Sequence, residues 1–160
     1  MSHLLDYPMC LRASTEHAEV IYTRAENYHA VKNASSAQAK DAVLTLKDDD
    51  DSTYLILKGE PPAPGEEVSA VYQGNGGMLV VPTGRVFVRL NEGARVEAYT
   101  DAFRKLGFVI AQSPPYAPHV AWLEREDGDA AAALRSVGAL EKLPQVCNVE
   151  PQLLTARAWR

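Results

Sequence analysis

The chain has 160 residues, 46% of them apolar, which is enough for one domain or two small ones with a real core and excludes wholesale disorder. Its formal charge of -5 is uneven: residues 1–83 hold 6 Lys/Arg against 12 Asp/Glu, and residues 84–160 hold 10 against 9. Two units with different surfaces are expected, and neither has the clustered positive charge of a nucleic-acid site. Two cysteines, Cys10 and Cys147, fit buried thiols in a reduced compartment better than a disulfide scaffold. The opening residues lack the basic flank and apolar run of a secretion signal, and no stretch approaches the roughly 20 apolar residues of a membrane span. A cytoplasmic location without membrane contact is expected.

Residues 1–16 show no period. A β-rich region follows, with a loose strand over 19–25. Leu44 and Leu46, then Tyr54, Ile56 and Lys58, have strand-face spacing on either side of the run Asp48, Asp49, Asp50, Asp51. Four carboxylates in a row suit a hard cation, but without calcium-loop spacing they read as a solvated hairpin tip. Residues 59–67 carry three prolines and read as a loop. A strand from Val68 leads to Gly74, Gly76 and Gly77, a turn rather than a phosphate cradle, since neither a lysine nor a helix start follows.

The second half has clearer periods. Val86, Val88 and Leu90 alternate with Arg85, Phe87 and Arg89, as in a strand with one face in a core. Val96, Tyr99, Phe103 and Leu106 make one helical stripe ending at Gly107, which supplies a left-handed C′ residue. A short strand stops at Pro114 and Pro115. In the next, Val120, Trp122 and Glu124 face one way and His119, Ala121 and Leu123 the other. Asp127 or Asp129 caps a helix lined by Ala130, Ala133, Leu134, Val137 and Leu140, and Pro144 ends it. A last strand over 145–150 completes the order strand, helix, strand, strand, helix, strand. That order predicts an α+β fold: a C-terminal ferredoxin-like βαββαβ domain over 78–160, with two helices on one face of an antiparallel sheet, preceded by a small β-rich region over 1–77.

The ordered blocks over 78–160 resemble the pro-domains of subtilisin-like serine proteases and their stand-alone inhibitor relatives. The closing segment L-x-x-x-P-x-V-x-x-V-E is Leu140, Pro144, Val146, Val149 and Glu150. The resemblance implies a non-enzymatic binding protein, an inhibitor and possible folding chaperone, whose partner is a subtilisin-like protease in cis or in trans. Its sheet face would rest on the enzyme and its tail would thread the substrate cleft as a product mimic. Glu150 would accept hydrogen bonds from a protease helix start. Leu153, Leu154, Thr155, Ala156, Arg157, Ala158, Trp159 and Arg160 would be the tail. Relatives continue V-E-x-D, whereas here Pro151 and Gln152 follow the acid. Residues 152–160 would span about 30 Å if extended, enough to cross a cleft.

His3, His17, His29 and His119 show no metal-ligand spacing, and no nucleophile motif stands out, so no cofactor or metal is expected. Trp122 and His119 lie where an exposed sheet face would be, although a tryptophan on a strand is more often core. Trp159 has an alternative place, folded back on the sheet. The competing expectation is a ferredoxin-like ligand-sensing or RNA-binding module, with Phe87 as a stacking platform on its strand.

Overall fold

The computed structural model describes residues 4–33, 40–48, 51–59, 61 and 68–156. Among the described residues nine strands form: β1 (Cys10–Arg12), β2 (Ile21–Lys32), β3 (Leu44–Lys47), β4 (Thr53–Lys58), β5 (Val68–Gln73), β6 (Leu79–Leu90), β7 (Phe108–Gln112), β8 (Val120–Arg125) and β9 (Val146–Thr155). All belong to one antiparallel sheet of order β3-β4-β2-β5-β6-β8-β7, with β1 added to β2 and β9 added to β6. Three short α-helices, α1 (Thr100–Lys105), α2 (Ala130–Arg135) and α3 (Val137–Glu141), lie on one side.

This corrects the expected fold. A compact ferredoxin-like βαββαβ domain with a separate β-rich region in front of it does not form. The strand expected to begin at Gly84 begins at Leu79, and the strand expected to end at Glu150 runs on to Thr155. The extension of β6 carries the sheet across the 77/78 position, where Tyr72 pairs with Val80 and Gln73 with Leu79, and the extension of β9 pairs with it along the other edge. Backbone N–H and C=O groups need partners once buried, and β6 supplies them to strands of both halves. The first helix is also shorter than its stripe: Val96–Tyr99 is a 3-10 turn, and only Thr100–Lys105 is α-helical.

Three apolar clusters explain the layers. The first puts Val86, Val88, Leu90, Ala121, Leu123 and Val149 under Phe103, Phe108 and Leu140, with Tyr99, Leu106 and Val137 packed around it. So the apolar stripe does face the core, and Gly107, with φ +90, closes its helix as expected. Asp129 rather than Asp127 is the N-cap of α2, accepting from Ala132 N at 3.0 Å. The second cluster joins Tyr7 and Leu11 to Ala70, Tyr72, Val80 and Leu134. The third lies on the other face, where Leu46, Tyr54, Ile56, Val71, Leu79 and Val81 meet Leu154. There β3 comes close to β9, so this end of the sheet curls toward a barrel.

The N-terminal residues that show no period are an arm tied down by side chains. Arg24 donates to Tyr7 O at 2.8 Å and Leu4 O at 3.2 Å, and the Tyr72 hydroxyl donates to Pro8 O at 2.5 Å. Burial raises the pKa of both Tyr7 and Tyr72, which keeps the hydroxyls protonated. Thr15 N then donates to Val149 O at 3.1 Å on the outer edge of β9, and Arg12 pairs with Glu141. Cys10 is exposed and Cys147 half-buried, so the expectation of two buried thiols fails for Cys10. The hairpin β3–β4 forms with Lys47 opposite Thr53, while Asp49 and Asp50 lie outside the described residues. Among the described residues, no helix is long and apolar enough to cross a membrane.

Candidate functional site: the open face of the sheet

The residues of β6 that alternate with Val86, Val88 and Leu90 point away from the helices. Among the described residues, no helix packs over them along the second half of the strand, and Arg85, Phe87 and Arg89 are each partly exposed. Phe87 on β6 and Trp122 on β8 are cross-strand partners, and their rings meet edge to face with centroids 5.2 Å apart. Such pairs stabilise by about 0.5–1.5 kcal/mol beyond the area they bury. The Arg85 guanidinium lies over the Trp122 ring, 6.0 Å from its centroid, within cation–π range. Glu124 Oε2 is 3.9 Å from Arg85 Nε.

Arg85 is presented by a break in the β6–β9 ladder. Pro82 pairs with Leu153 and Val86 with Pro151, so three residues of β6 stand opposite Gln152 alone. Gly84 makes this bulge possible. Its φ is +94, and a Cβ there would lie 3.0 Å from Ala130 Cβ and 3.2 Å from Ala130 Cα, because α2 rests on it. Thr83 Oγ1 locks the bulge by donating to Gln152 Oε1 at 2.7 Å and accepting from Arg85 N at 3.2 Å. Bulges of this kind re-aim side chains next to functional sites. Here the bulge stands where the curled end of the sheet gives way to the open face.

At the far end of the face Arg89 pairs with Glu16 from the N-terminal arm, and Glu16 N donates to Asn148 Oδ1 at 3.2 Å. The face therefore carries Phe87, Trp122 and two arginines beside three carboxylates, those of Glu16, Glu124 and Glu150. On the helix side a groove of about 340 Å³ runs between β1 and the α2–α3 pair, lined by Leu11, Ile21, Leu134, Val137 and Pro151. None of the expected site residues falls in that groove.

The expected protease-binding residues separate into three groups. Glu150 is exposed on the open face, opposite Phe87 in register. Leu153, Leu154 and Thr155 are strand residues of β9, opposite Pro82, Val81 and Val80. Leu153 packs on the second cluster and Leu154 on the third. The expectation of a free ribbon starting at Gln152 is therefore corrected: apolar side chains and a continuing ladder hold these residues in the sheet. Ala156 is exposed just past the strand, and Arg157, Ala158, Trp159 and Arg160 lie outside the described residues.

Arg85 and Glu124 went unnoticed as site residues. The signal for Arg85 was in the alternation itself, which places Arg85, Phe87 and Arg89 together on the face away from the core. Phe87, an aromatic on the polar side of an amphipathic strand, is only half-buried, and an apolar group left partly open in this way is a candidate contact. Among the described residues, no group of three or more His, Cys, Asp or Glu is arranged to hold a metal. No family model matches the chain, and neither the curated proteins nor the solved structures contain a significant match. The resemblance to subtilisin pro-domains therefore rests on the residues quoted for it alone.

Proposed function

We propose that the chain is a binding protein that docks a partner protein on the open face of its sheet, and that a subtilisin-like serine protease is the partner class to test first. The observation that carries the docking is the Phe87–Trp122 pair, flanked by Arg85 and Arg89 on an uncovered face. Trp, Tyr and Arg are the residues that dominate binding energy in protein interfaces. The protease follows from the sequence resemblance, and the sheet face is the half of that mechanism which the geometry favours. The product-mimic half has less support, since Leu153, Leu154 and Thr155 serve β9.

The same aromatic pair on neighbouring strands would also stack bases. Three carboxylates around it oppose a polyanion, and this favours a protein over RNA.

An inhibition assay with a subtilisin-like protease tests the proposal. The intact chain should slow hydrolysis of a peptide substrate, Phe87→Ser should lose at least about tenfold in affinity, equivalent to about 1.4 kcal/mol, and a chain ending at Ala156 should inhibit like the intact one. A larger truncation would remove strand residues and confound the result. Inhibition that survives Phe87→Ser would refute docking by this face, and no inhibition at all would remove the protease as the partner.

A further inference from the structure

We propose that Phe87 and Glu150 receive a basic side chain, Lys or Arg, of the docked partner, its aliphatic stem on the ring and its charged head on the carboxylate; this inference rests on the open face being the docking surface. Trp122, Phe87 and Glu150 lie on three adjacent strands in direct register. Trp122 on β8 stands opposite Phe87, and Phe87 stands opposite Glu150 on β9. Strands in a sheet are spaced by about 4.8 Å, so this row runs about 10 Å from aromatic to carboxylate. Residues directly opposite each other across a ladder share a face, with Cβ atoms about 4.5–5.5 Å apart.

The charges of the face do not balance, and the excess falls at Glu150. Arg85 has Glu124 at ion-pair distance, 3.9 Å, and Arg89 pairs with Glu16. Glu150 is exposed, and among the described residues its carboxylate has neither an ion pair nor a hydrogen bond. Two guanidinium groups set against three carboxylates thus leave one negative charge, and it stands beside the aromatic pair. The whole chain, with a formal charge of -5, carries the same sign. Such a field speeds the encounter with a basic partner and disfavours an acidic one.

The neighbours of Glu150 decide which cation fits. A hard metal ion takes several oxygen ligands, and among the described residues no group of three or more His, Cys, Asp or Glu is arranged to hold one. A metal ion would also leave the half-buried Phe87 ring without a contact. Lys and Arg answer both groups at once, because their apolar stems lie along hydrophobic surface while their heads reach a carboxylate. The Phe87 ring is already braced by Trp122, with 5.2 Å between centroids, so little side-chain freedom is lost on docking. The Trp122 ring has the Arg85 guanidinium over it, which leaves the Phe87 end of the row for an incoming cation.

Peptides selected from a random phage-displayed library on the intact chain, and then synthesised, provide the test. Those whose affinity falls with Phe87→Ser should carry Lys or Arg beside an apolar residue. Glu150→Gln should weaken them about fivefold, near the upper end of what an exposed ion pair contributes. Glu97→Gln removes an equal charge from the turn Val96–Tyr99 on the helix side and should change affinity by less than about twofold. Replacing the peptide's Lys by acetyl-lysine, or its Arg by citrulline, should weaken binding to the parent chain about fivefold and leave binding to Glu150→Gln unchanged. Added salt should shrink the difference between the parent chain and Glu150→Gln. Thermal melts of each variant separate a lost contact from a lost fold. If peptides that need Phe87 carry no basic residue, or their charge shows no coupling to Glu150, the inference is wrong and the docking surface stands. If no binder depends on Phe87, the docking surface itself is wrong and the inference falls with it.

Discussion

The second half of β6 has two faces built from alternate residues, and they are treated differently by the fold. Val86, Val88 and Leu90 are fully buried beneath Phe103, Phe108 and Leu140. One residue away along the chain, Arg85, Phe87 and Arg89 are partly exposed and, among the described residues, meet Trp122, Glu124 and Glu16 rather than a helix. The first face is held by shape and apolar area alone. The second keeps an aromatic pair and two guanidinium groups where a folded domain gains little from them. Stability is invested on one side of a strand, and recognition chemistry is concentrated on the other.

The sharpest way to break this contrast is the same substitution on each side. Phe103→Ala leaves a cavity in the closed core and should cost about 3–5 kcal/mol in denaturant unfolding. Phe87→Ala should cost no more than about 1–2 kcal/mol, since the ring is partly wet already and loses mainly its contact with Trp122. Equal losses would mean that the open face is a second core, covered by something else in the folded protein.

A smaller effect is expected at the bulge that divides the curled end from the open face. Gly84→Ala forces a side chain into a left-handed backbone and against Ala130, and should lower stability by about 1–3 kcal/mol. It should also move Arg85, so that binding weakens by more than the stability loss explains. If binding is unchanged in protein that remains folded, the bulge does not aim Arg85.

The smallest effect belongs to an exposed pair at the end of β8, away from the Phe87–Trp122 pair. Asp127 accepts from Arg125 Nη2 at 2.7 Å and Nε at 3.0 Å and also from Asp129 N at 3.0 Å, and these bonds hold its carboxyl well below the usual range. A lowered folded-state pKa stabilises above the unfolded value, near 4, and that stability fades as pH falls from there toward the folded value. Asp127→Asn should therefore be less stable at neutral pH by under about 1 kcal/mol, because water screens the pair. The gap in melting temperature should close as the pH drops below about 4. A gap that widens in acid would reverse the assignment.

Much of the local structure was legible in the chain. The two-residue period of β6 and β8, the stripe of Val96, Tyr99, Phe103 and Leu106, the stop at Gly107 and the cap among Asp127 and Asp129 all follow from rules that act within a few residues. Phe87 and Trp122 could be assigned to faces for the same reason, although nothing in the pattern says whether a face is covered. The first residues of the expected tail, Leu153 to Thr155, proved to be strand because a strand and a free extended peptide look alike in sequence. Leu153 and Leu154 show their role only through the clusters they join.

What the sequence determined by itself, then, is which side chains share a side of each element and where some elements stop. Tertiary structure alone decided that β6 binds the two halves into one sheet, that the N-terminal arm lies along β9, and that no described helix packs over the Arg85 face. The physical reason is that backbone hydrogen-bonding groups are nearly the same at every residue. Side-chain periods report a strand's faces, but its partner across the ladder depends on where the rest of the chain comes to lie.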